Sequence, residues 1–344
     1  GRGAVRTTIS HFSLMIKETS QLFVAGPPVV ERGFGKPVGK NELGGSQIHA
    51  HGSGAVDNEV ETEQEAFDTI RNFLSYLPQN VWQPPPRIES DDSVERRDES
   101  LLSVIPRDRR QMYQIREVIH AIVDAESFFE INPGYGESLV VGLARLDGYA
   151  IGIMANDTCH HGGAVNASAS EKMMRFVDLC DTFHLPMLNL VDNPGFLIGS
   201  EAEEEGTVRL GSRALMACYQ ATIPWVSVII RRCYGVAGAG HGNADRLNLR
   251  YAWPSADWGS LPIEGGVQAA YRRDIEAADN PDARRRELED MLEQYRSPFR
   301  TAEAFGIEEV IDPRDTRPLI CDWVELAYDI TATQLGPKSR TPRP

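Results

Sequence analysis

The sequence lacks the features that would place the protein in a membrane or on nucleic acid. No apolar run approaches the length of a bilayer span, and the first residues show no signal-peptide pattern. Five cysteines form no CxxC pair, which indicates free thiols in a reducing compartment and leads us to expect a cytoplasmic protein. The net charge of −15 would repel nucleic-acid phosphates. We therefore expect no nucleic-acid partner and no membrane partner.

What is present is an ordinary globular composition. With 344 residues, 41% hydrophobic and 25% charged, the chain can hold two domains with sizeable cores. Periodicity predicts strands at 139–146, 149–154, 187–191 and 225–230, and helices at 68–77, 112–129, 168–183, 206–221, 267–276, 282–296 and 318–333. This alternation favours a layered α/β fold.

Local sequence signals predict a turn, a helix start and a linker between these elements. Asp147-Gly148 predicts a turn between the first two of these strands. Ser168-Ala169-Ser170-Glu171 is typical of a capping box, so we expect Ser168 to cap the helix that follows. Pro84-Pro85-Pro86 and the charged run 89–99 predict a linker, because proline and charge do not build a core.

Two Gly-rich turns, each after an apolar strand, carry the functional signal. They are Asn193-Pro194-Gly195 and Tyr234-Gly235-Val236-Ala237-Gly238. Small residues let a substrate approach the backbone and leave N–H groups to do the polar work. Backbone donors directed at a developing negative oxygen form an oxyanion hole. This pattern indicates chemistry on a carbonyl, with a plain strand-to-helix loop as the alternative.

Motifs along the whole chain resemble one family, the carboxyltransferase component of biotin-dependent acyl-CoA carboxylases, such as the propionyl-CoA and methylcrotonyl-CoA carboxylase β-subunits. They occur in family order: Val24-Ala25-Gly26-Pro27, Glu42-Leu43-Gly44-Gly45, His49 with Ser53-Gly54, Leu74-Ser75-Tyr76-Leu77-Pro78, Ala169-Ser170-Glu171-Lys172, Asp192 with Pro194-Gly195-Phe196, Ala221-Thr222 with Pro224, and Ala252-Trp253-Pro254.

The resemblance implies a crotonase-like (ClpP/crotonase) ββα superhelix of two related domains. It places the C-terminal part of the first domain at 1–83, a linker at 84–102 and the second domain at 103–344. The start, Gly1 to Val5, is not an initiator sequence and looks like the AGGA turn of the first domain, with Arg2 where the family usually has Gly. We therefore expect an N-terminally incomplete chain, which leaves a mitochondrial-matrix location open.

The resemblance also implies site residues. Backbone N–H groups of Val236 and Ala237 face biotin, and those of Gly3 and Ala4 face the acyl thioester. Further contacts to substrate or biotin are expected at Gly195, Phe196, Gly235, Gly238, Ala239, Gly265 and Gly266. Both negative charges in carboxyl transfer develop on oxygen, which suits N–H donors in a dry site. Biotin can itself take the α-proton, which fits the lack of a compelling catalytic triad.

Two departures from the family pattern affect the choice of acyl group. Ala239 stands where propionyl-type members have an aspartate, and Pro262 removes a backbone donor in a segment often reading VMGAQGAV. We therefore expect a different acyl pocket from that of the propionyl enzymes.

Other clusters have ordinary interpretations. Cys159-His160-His161, with His241 distant, has only the composition of a metal site, because adjacent residues cannot easily share one tetrahedral centre, so no metal is expected. Glu203-Glu204-Glu205 is interpreted as a solvated helix start, where acidic groups suit the dipole. Trp253 and Trp258 are expected to pack, and His49 to hold its loop.

Three function classes remain open. The first is a carboxyltransferase that works with a biotin carboxylase/biotin carboxyl carrier subunit, takes biotin from that partner and acts on an acyl-CoA. The second is the same domain in a biotin-dependent acyl-CoA decarboxylase. The third is a non-catalytic scaffold paralogue, motivated by Arg2 and the altered 260–266 segment. The resemblance implies a homo-oligomer, either a dimer or a trimer of dimers.

Overall fold

The computed structural model describes residues 1–240, 246–260, 263–293, 295–340 and 342–343. Pro262 and His241, which the sequence analysis singled out, lie outside the described residues. Of Ala239 only the backbone is described.

A twisted mixed sheet forms the centre of the fold. Its strands are ordered β10-β8-β7-β6-β5-β4-β3, and β9 pairs with the end of β7. β3, β4 and β5 pair antiparallel, whereas β5 to β8 are parallel. A separate small sheet consists of β1 and β2. The strands are β1 Leu14–Ile16, β2 Asn58–Val60, β3 Phe129–Ile131, β4 Leu139–Leu146, β5 Tyr149–Asn156, β6 Met187–Asn193, β7 Trp225–Tyr234, β8 Asn248–Ala252, β9 Asp257–Gly259 and β10 Glu309–Val310.

Helices cover both faces of the central sheet. They are α1 Arg2–Thr8, α2 Pro27–Phe34, α3 Lys40–Gly44, α4 Glu63–Ser75, α5 Ile115–Ile122, α6 Ala167–Phe183, α7 Ser200–Glu204, α8 Thr207–Gln220, α9 Gly235–Ala239, α10 Ile263–Ala270, α11 Arg272–Ala277, α12 Pro281–Glu293, α13 Pro298–Glu303 and α14 Thr316–Ala332. Within the described ranges, no helix combines the length and apolarity that crossing a bilayer requires.

Two hydrophobic clusters hold the helices to the sheet. On one face, α5 and α14 contribute Ile119 and Trp323 to a cluster with alternate residues of β4 to β7. On the other face, α6 and α8 contribute Met173 and Cys218. Because both faces of the sheet are covered, all eight residues of β4 are buried. This burial explains why the central strands read as apolar runs.

Most predicted elements are present, with some differences at their ends. The Asp147-Gly148 turn is confirmed: both residues are left-handed, with φ of 50° and 74°, as a tight hairpin requires. Ser168 as helix cap is wrong, because Asn166 Oδ1 accepts the Ala169 N–H at 2.9 Å and the helix already begins at Ala167. The carboxamide of Asn166 is as good a cap as a hydroxyl.

Two helix predictions ran across places where the backbone leaves the helix. The helix predicted over 112–129 is confined to α5, and Phe129 instead begins strand β3. The helix predicted over 267–276 is two helices, α10 and α11, which meet at Tyr271. In both cases apolar residues kept a helical spacing because they face a core, although the backbone changes direction between them.

The predicted linker packs against the hydrophobic cluster that α5 and α14 form with the sheet. Leu101 is 3% exposed and belongs to the cluster with α5 and α14. The guanidinium of Arg317 donates to the carbonyl oxygens of Asp92 and Ser93 at 3.1 and 2.9 Å. The Arg317 side chain of α14 therefore anchors the backbone of this segment, which the prolines and charges did not predict.

Side chains of the 1–83 segment connect it to the rest. The Asn58 carboxamide donates to the Glu130 carbonyl at 3.0 Å and accepts from the Asn132 N–H at 3.0 Å. Arg175 binds Asp57 with both Nε and Nη2. These bonds dock the small sheet onto β3 and α6. The division at 83 and 102 stays a prediction.

Candidate active site

The two Gly-rich turns follow neighbouring parallel strands, so the fold brings them to one edge of the sheet. β6 and β7 pair through Met187↔Trp225 to Val191↔Ile229, and the register shifts before Asn193 pairs with Cys233. The turn at Gly195 and the turn at Gly235 therefore begin side by side.

A buried carboxylate joins the ends of these strands. Asp192, on β6, is fully buried. It accepts hydrogen bonds from Arg231 Nε at 2.8 Å, Arg232 Nε at 2.6 Å and Tyr113 Oη at 3.0 Å. Burial, reinforced by the charge of Asp192, raises the pKa of Tyr113 well above its usual range, so its hydroxyl stays a donor.

The turn after β7 presents free backbone donors. Gly235 has φ of +59°, which a residue with a Cβ rarely adopts, and it starts the five-residue helix α9. Val236 and Ala237 follow in its first turn, where N–H groups have no intrahelical acceptor. No other described residue accepts from either N–H. The Val236 side chain is 64% exposed and that of Ala237 is buried.

Close packing fixes α9 against the two strands. A Cβ at Gly238 would lie 2.9 Å from the Cys233 carbonyl carbon and 3.2 Å from the Asn193 oxygen. The Cys233 thiol donates to the Gly238 carbonyl at 3.2 Å, and burial raises its pKa to about 12. Glycine at 238 thus lets the turn rest directly on the strand ends.

A second buried network lies beneath Tyr234, the last residue of β7. Its hydroxyl donates to Asp257 Oδ2 at 2.6 Å and also contacts the Arg296 guanidinium. Asp257 further binds Arg296 Nε at 2.6 Å and Arg109 Nη1 at 2.9 Å. Burial, with a smaller contribution from Arg109, lowers the pKa of Arg296 to about 10, so it remains charged at neutral pH.

The first turn is held by its own side chain. The Asn193 Oδ1 accepts the Gly195 N–H at 2.8 Å, and Gly195 has φ of +116°. The Gly195 carbonyl accepts from Val165 N–H at 3.1 Å. Phe196 then packs on α8 where Gly211 leaves room, since a Cβ there would lie 2.4 Å from its ring.

A largely apolar cavity of about 670 Å³ adjoins the second turn. Cys233, Gly266, Trp258, Tyr271 and Tyr295 are among its lining residues. Gly265, next to Gly266 on α10, has open space where a Cβ would stand. The structure therefore brings Gly266 to the cavity beside the Val236 turn.

Gly3 and Ala4 lie elsewhere, in the first turn of α1. A Cβ at Gly3 would meet nothing within 4 Å. Helix α1 borders a different cavity, to which its last residue, Thr8, contributes. The predicted residues therefore fall into two groups, one at α1 and one at α9.

Several ordinary interpretations hold. His49 bonds the Leu22 carbonyl at 2.8 Å and Ser53 Oγ at 3.3 Å, so it holds its loop. The indole of Trp253 is buried and donates to Thr316 Oγ1 at 2.9 Å. The interpretation of Glu203-Glu204-Glu205 as a helix start holds only in part, because Glu203 lies in the first turn of α7, whereas Glu204 is its last residue and Glu205 its C-cap. Trp258 instead lines the cavity.

Comparison with known proteins identifies the family. A model of the carboxyl transferase domain matches residues 1–341. The chain belongs to the carboxyl transferase domain family.

Members of this family are similar over most of the chain. A propionyl-CoA carboxylase carboxyltransferase subunit of Haloferax mediterranei is 40% identical over 92% of the chain. A methylmalonyl-CoA decarboxylase subunit alpha of Veillonella parvula is 33% identical, also over 92%. The chain spans 62% of the length of each of these relatives.

A crystal structure of the transcarboxylase 12S hexamer, with methylmalonyl-coenzyme A bound, has a TM-score of 0.88 and 33% identity. It matches all of this chain, which covers 65% of that one. The crotonase-like fold expected from the resemblance is confirmed by this likeness.

Sequence reasoning about this carboxyl transferase chain missed the residues beneath the turns. Tyr113, Arg231, Arg296 and Asp257 belong to no motif that was singled out for chemistry, although they bond Asp192 and Tyr234, which do. One signal was available: Arg231-Arg232 closes an apolar strand, and charges at such positions need partners. Asp192 was singled out only as part of a motif.

Proposed function

We propose that this chain is part of the carboxyltransferase subunit of a biotin-dependent acyl-CoA carboxylase. The subunit transfers CO2 from carboxybiotin to the α-carbon of an acyl-CoA. The observation that carries the proposal is the pair of free N–H groups at Val236 and Ala237, fixed between two buried ion networks and beside a largely apolar cavity. Membership of the carboxyl transferase family supports the same assignment.

The residues around α9 fit a biotin ring. The fused ring is largely apolar with one polar ureido edge. The cavity at the end of β7 offers aromatic walls, and the backbone donors of α9 follow directly on Tyr234, the last residue of that strand. Carboxybiotin, when bound, supplies the carboxyl group. Val236 and Ala237 N–H groups then stabilise negative charge on the ureido oxygen.

The other group of residues, at α1, binds the acyl-CoA thioester. Gly3 and Ala4 carry N–H groups in the first turn of α1, where they have no acceptor among the described residues. These donors stabilise the enolate oxygen that forms when the α-proton leaves. In the family's arrangement, the first domain of one subunit faces the second domain of its partner, so the active assembly is a homo-oligomer.

A second candidate is decarboxylation by the same domain. The 33% identity to a methylmalonyl-CoA decarboxylase subunit supports this candidate. Both reactions need the same two charge-stabilising sites, and they differ in the direction of carboxyl transfer and in the partner subunits.

The test is an assay of the complete subunit with its biotin carboxylase and carrier partner. Incorporation of labelled bicarbonate into an acyl-CoA, dependent on ATP, is the expected result. Release of CO2 from a malonyl-type CoA without ATP-dependent uptake would support decarboxylation instead. A folded complex that transfers no carboxyl group in either direction would overturn both.

A further inference from the structure

Lys172 is a buried lysine without a counter-ion in contact. The residue is 3% exposed, and no described residue forms a hydrogen bond or an ion pair with its Nζ. Glu130, Glu137, Asp157 and Arg116 act on it only from a distance. Arg116 already binds Glu130 and Asp157 directly. A buried charge without a partner is costly, so this position requires an explanation.

Two neighbours of Lys172 have unsatisfied buried atoms. Arg175, one helical turn later, uses Nε and Nη2 for Asp57, but its Nη1 is buried with no acceptor. Asn132 Oδ1, after β3, is buried with no donor. Buried polar atoms in native proteins nearly always have a partner. Two donors and one acceptor thus lack partners at one place.

All three side chains line the same cavity. It measures about 300 Å³ and also includes Ser53 and Tyr135, whose hydroxyl is occupied by Glu171 at 2.6 Å. A void of about 10 Å³ behind it shares Asn132, Lys172 and Arg175. That void has room for about one water molecule. The larger cavity has room for a ligand as well.

We propose that this cavity binds a small oxyanion, a carboxylate or bicarbonate, through Lys172 and Arg175. The Lys172 ammonium and Arg175 Nη1 donate to its oxygens and gain the partners that they lack. Asn132 Oδ1 is an acceptor, which favours a ligand that also carries an O–H group, as bicarbonate does. The inference goes beyond the proposed function and does not depend on it, because it rests on these three side chains.

The binding test uses the complete subunit titrated with sodium formate, acetate or bicarbonate, at an ionic strength held constant with sodium chloride. Calorimetry measures affinity, and peptide mass spectrometry measures acetylation of Lys172, which is one of five lysines in the sequence. We expect saturable binding of at least one probe together with protection of Lys172 from acetylation. Absence of saturable binding for all three probes would overturn the proposal.

Three variants locate the site. Lys172→Met is expected to weaken binding at least tenfold. Asn132→Asp places a carboxylate among the same donors, so it is expected to abolish binding while the melting temperature stays the same or rises. Lys338→Met is the matched control, because Lys338 already bonds Thr222 Oγ1 at 2.6 Å and is expected to leave binding unchanged. If folded Lys172→Met and Asn132→Asp proteins both bound the probes as tightly as the wild type, the site would be refuted.

Discussion

The carboxylate of Asp192 accepts a 2.6 Å hydrogen bond from Nε of Arg232, on the strand beside it. Its other oxygen accepts one from Nε of Arg231 at 2.8 Å. Adjacent residues of a regular strand point to opposite faces, so two consecutive arginines reach one carboxylate only where the pairing is irregular. The register shift between Val191 and Asn193 provides that irregularity. The result joins the two strand ends from which both turns begin.

Removing this charge is expected to destabilise the fold strongly. Asp192→Asn keeps the side-chain volume but leaves the buried Arg231 and the partly buried Arg232 without their counter-ion. Breaking a buried ion pair from one side costs about 3–5 kcal/mol. Chemical denaturation of the complete subunit measures the change in the free energy of unfolding.

The control for this change is an exposed pair. Asp68 and Arg71 form a salt bridge at 3.1 Å with both side chains more than half exposed. Surface pairs contribute about 0–1 kcal/mol, so Asp68→Asn is expected to be nearly neutral. If Asp192→Asn were as mild as Asp68→Asn, the buried network would not hold the strand ends together.

Tyr234→Phe tests whether the network beneath the turn positions the donors. The change removes the hydroxyl that joins Asp257 and Arg296 and keeps the ring. We expect a loss of about 1–3 kcal/mol in stability from the unsatisfied groups. We also expect kcat to fall by roughly tenfold or more, because small displacements of catalytic groups reduce rates steeply.

Tyr328→Phe separates positioning from stability. Its hydroxyl is also buried and donates to the Ala150 carbonyl at 2.7 Å, on the face packed by α14. A similar loss of stability with unchanged kcat is expected there. Equal kcat values for the two variants would show that Tyr234 has only a structural role.

The sequence predicted the strands that carry the site better than it predicted the charged residues that hold those strands in place. Periodicity located β4, β6 and β7 because both faces of the sheet are buried, so apolar runs are unavoidable. The glycines at 195 and 235 signalled turns because each takes a positive φ. These features depend on local backbone geometry, which the residue types in a single sequence indicate.

The supporting charges could not be predicted in the same way. Arg109 and Asp257 are far apart in the chain, and nothing local indicates that they meet at 2.9 Å. Likewise, Asn166 and Ser168 are both capping residues by type, and only the structure shows that Asn166 caps α6. Which groups pair across the fold is a tertiary property that spacing does not encode.

Ala237→Pro tests the proposed N–H donor directly. Proline removes the N–H but suits the first turn of a helix, where that group has no intrahelical acceptor. Loss of one oxyanion donor costs about 2.7–4 kcal/mol in the barrier, a fall in kcat of roughly 10²–10³. Steady-state carboxyl transfer measures it, with thermal melts to establish folding.

Val236→Ile provides the comparison, because the exposed side chain at 236 changes while its N–H remains. It is expected to keep most of the activity. Full activity in a folded Ala237→Pro enzyme would refute the assignment of the donor.

The buried Lys172 is expected to make the stability of the fold increase with pH. Burial lowers the pKa of Lys172 to about 7 in the folded protein, despite the opposing influence of Glu130, Glu137 and Asp157; Arg116 lowers it further. The unfolded chain has the ordinary value near 10.5, so it binds more protons between about pH 7 and 10.5. The Lys172 contribution to the free energy of unfolding therefore rises with pH across that window and is constant below it.

Lys172→Met removes this contribution, and the measurement is urea unfolding from pH 6 to 10 in buffers free of carboxylates. The variant is expected to gain most relative to wild type near pH 6–7 and to lose that advantage by pH 10. Lys338→Met, in which a hydrogen-bonded lysine is removed, is the matched control for the loss of a lysine side chain. Formate added to the wild type is expected to flatten its slope, since a bound anion favours the charged lysine. A pH-independent difference between Lys172→Met and wild type would show that Lys172 does not titrate in this window.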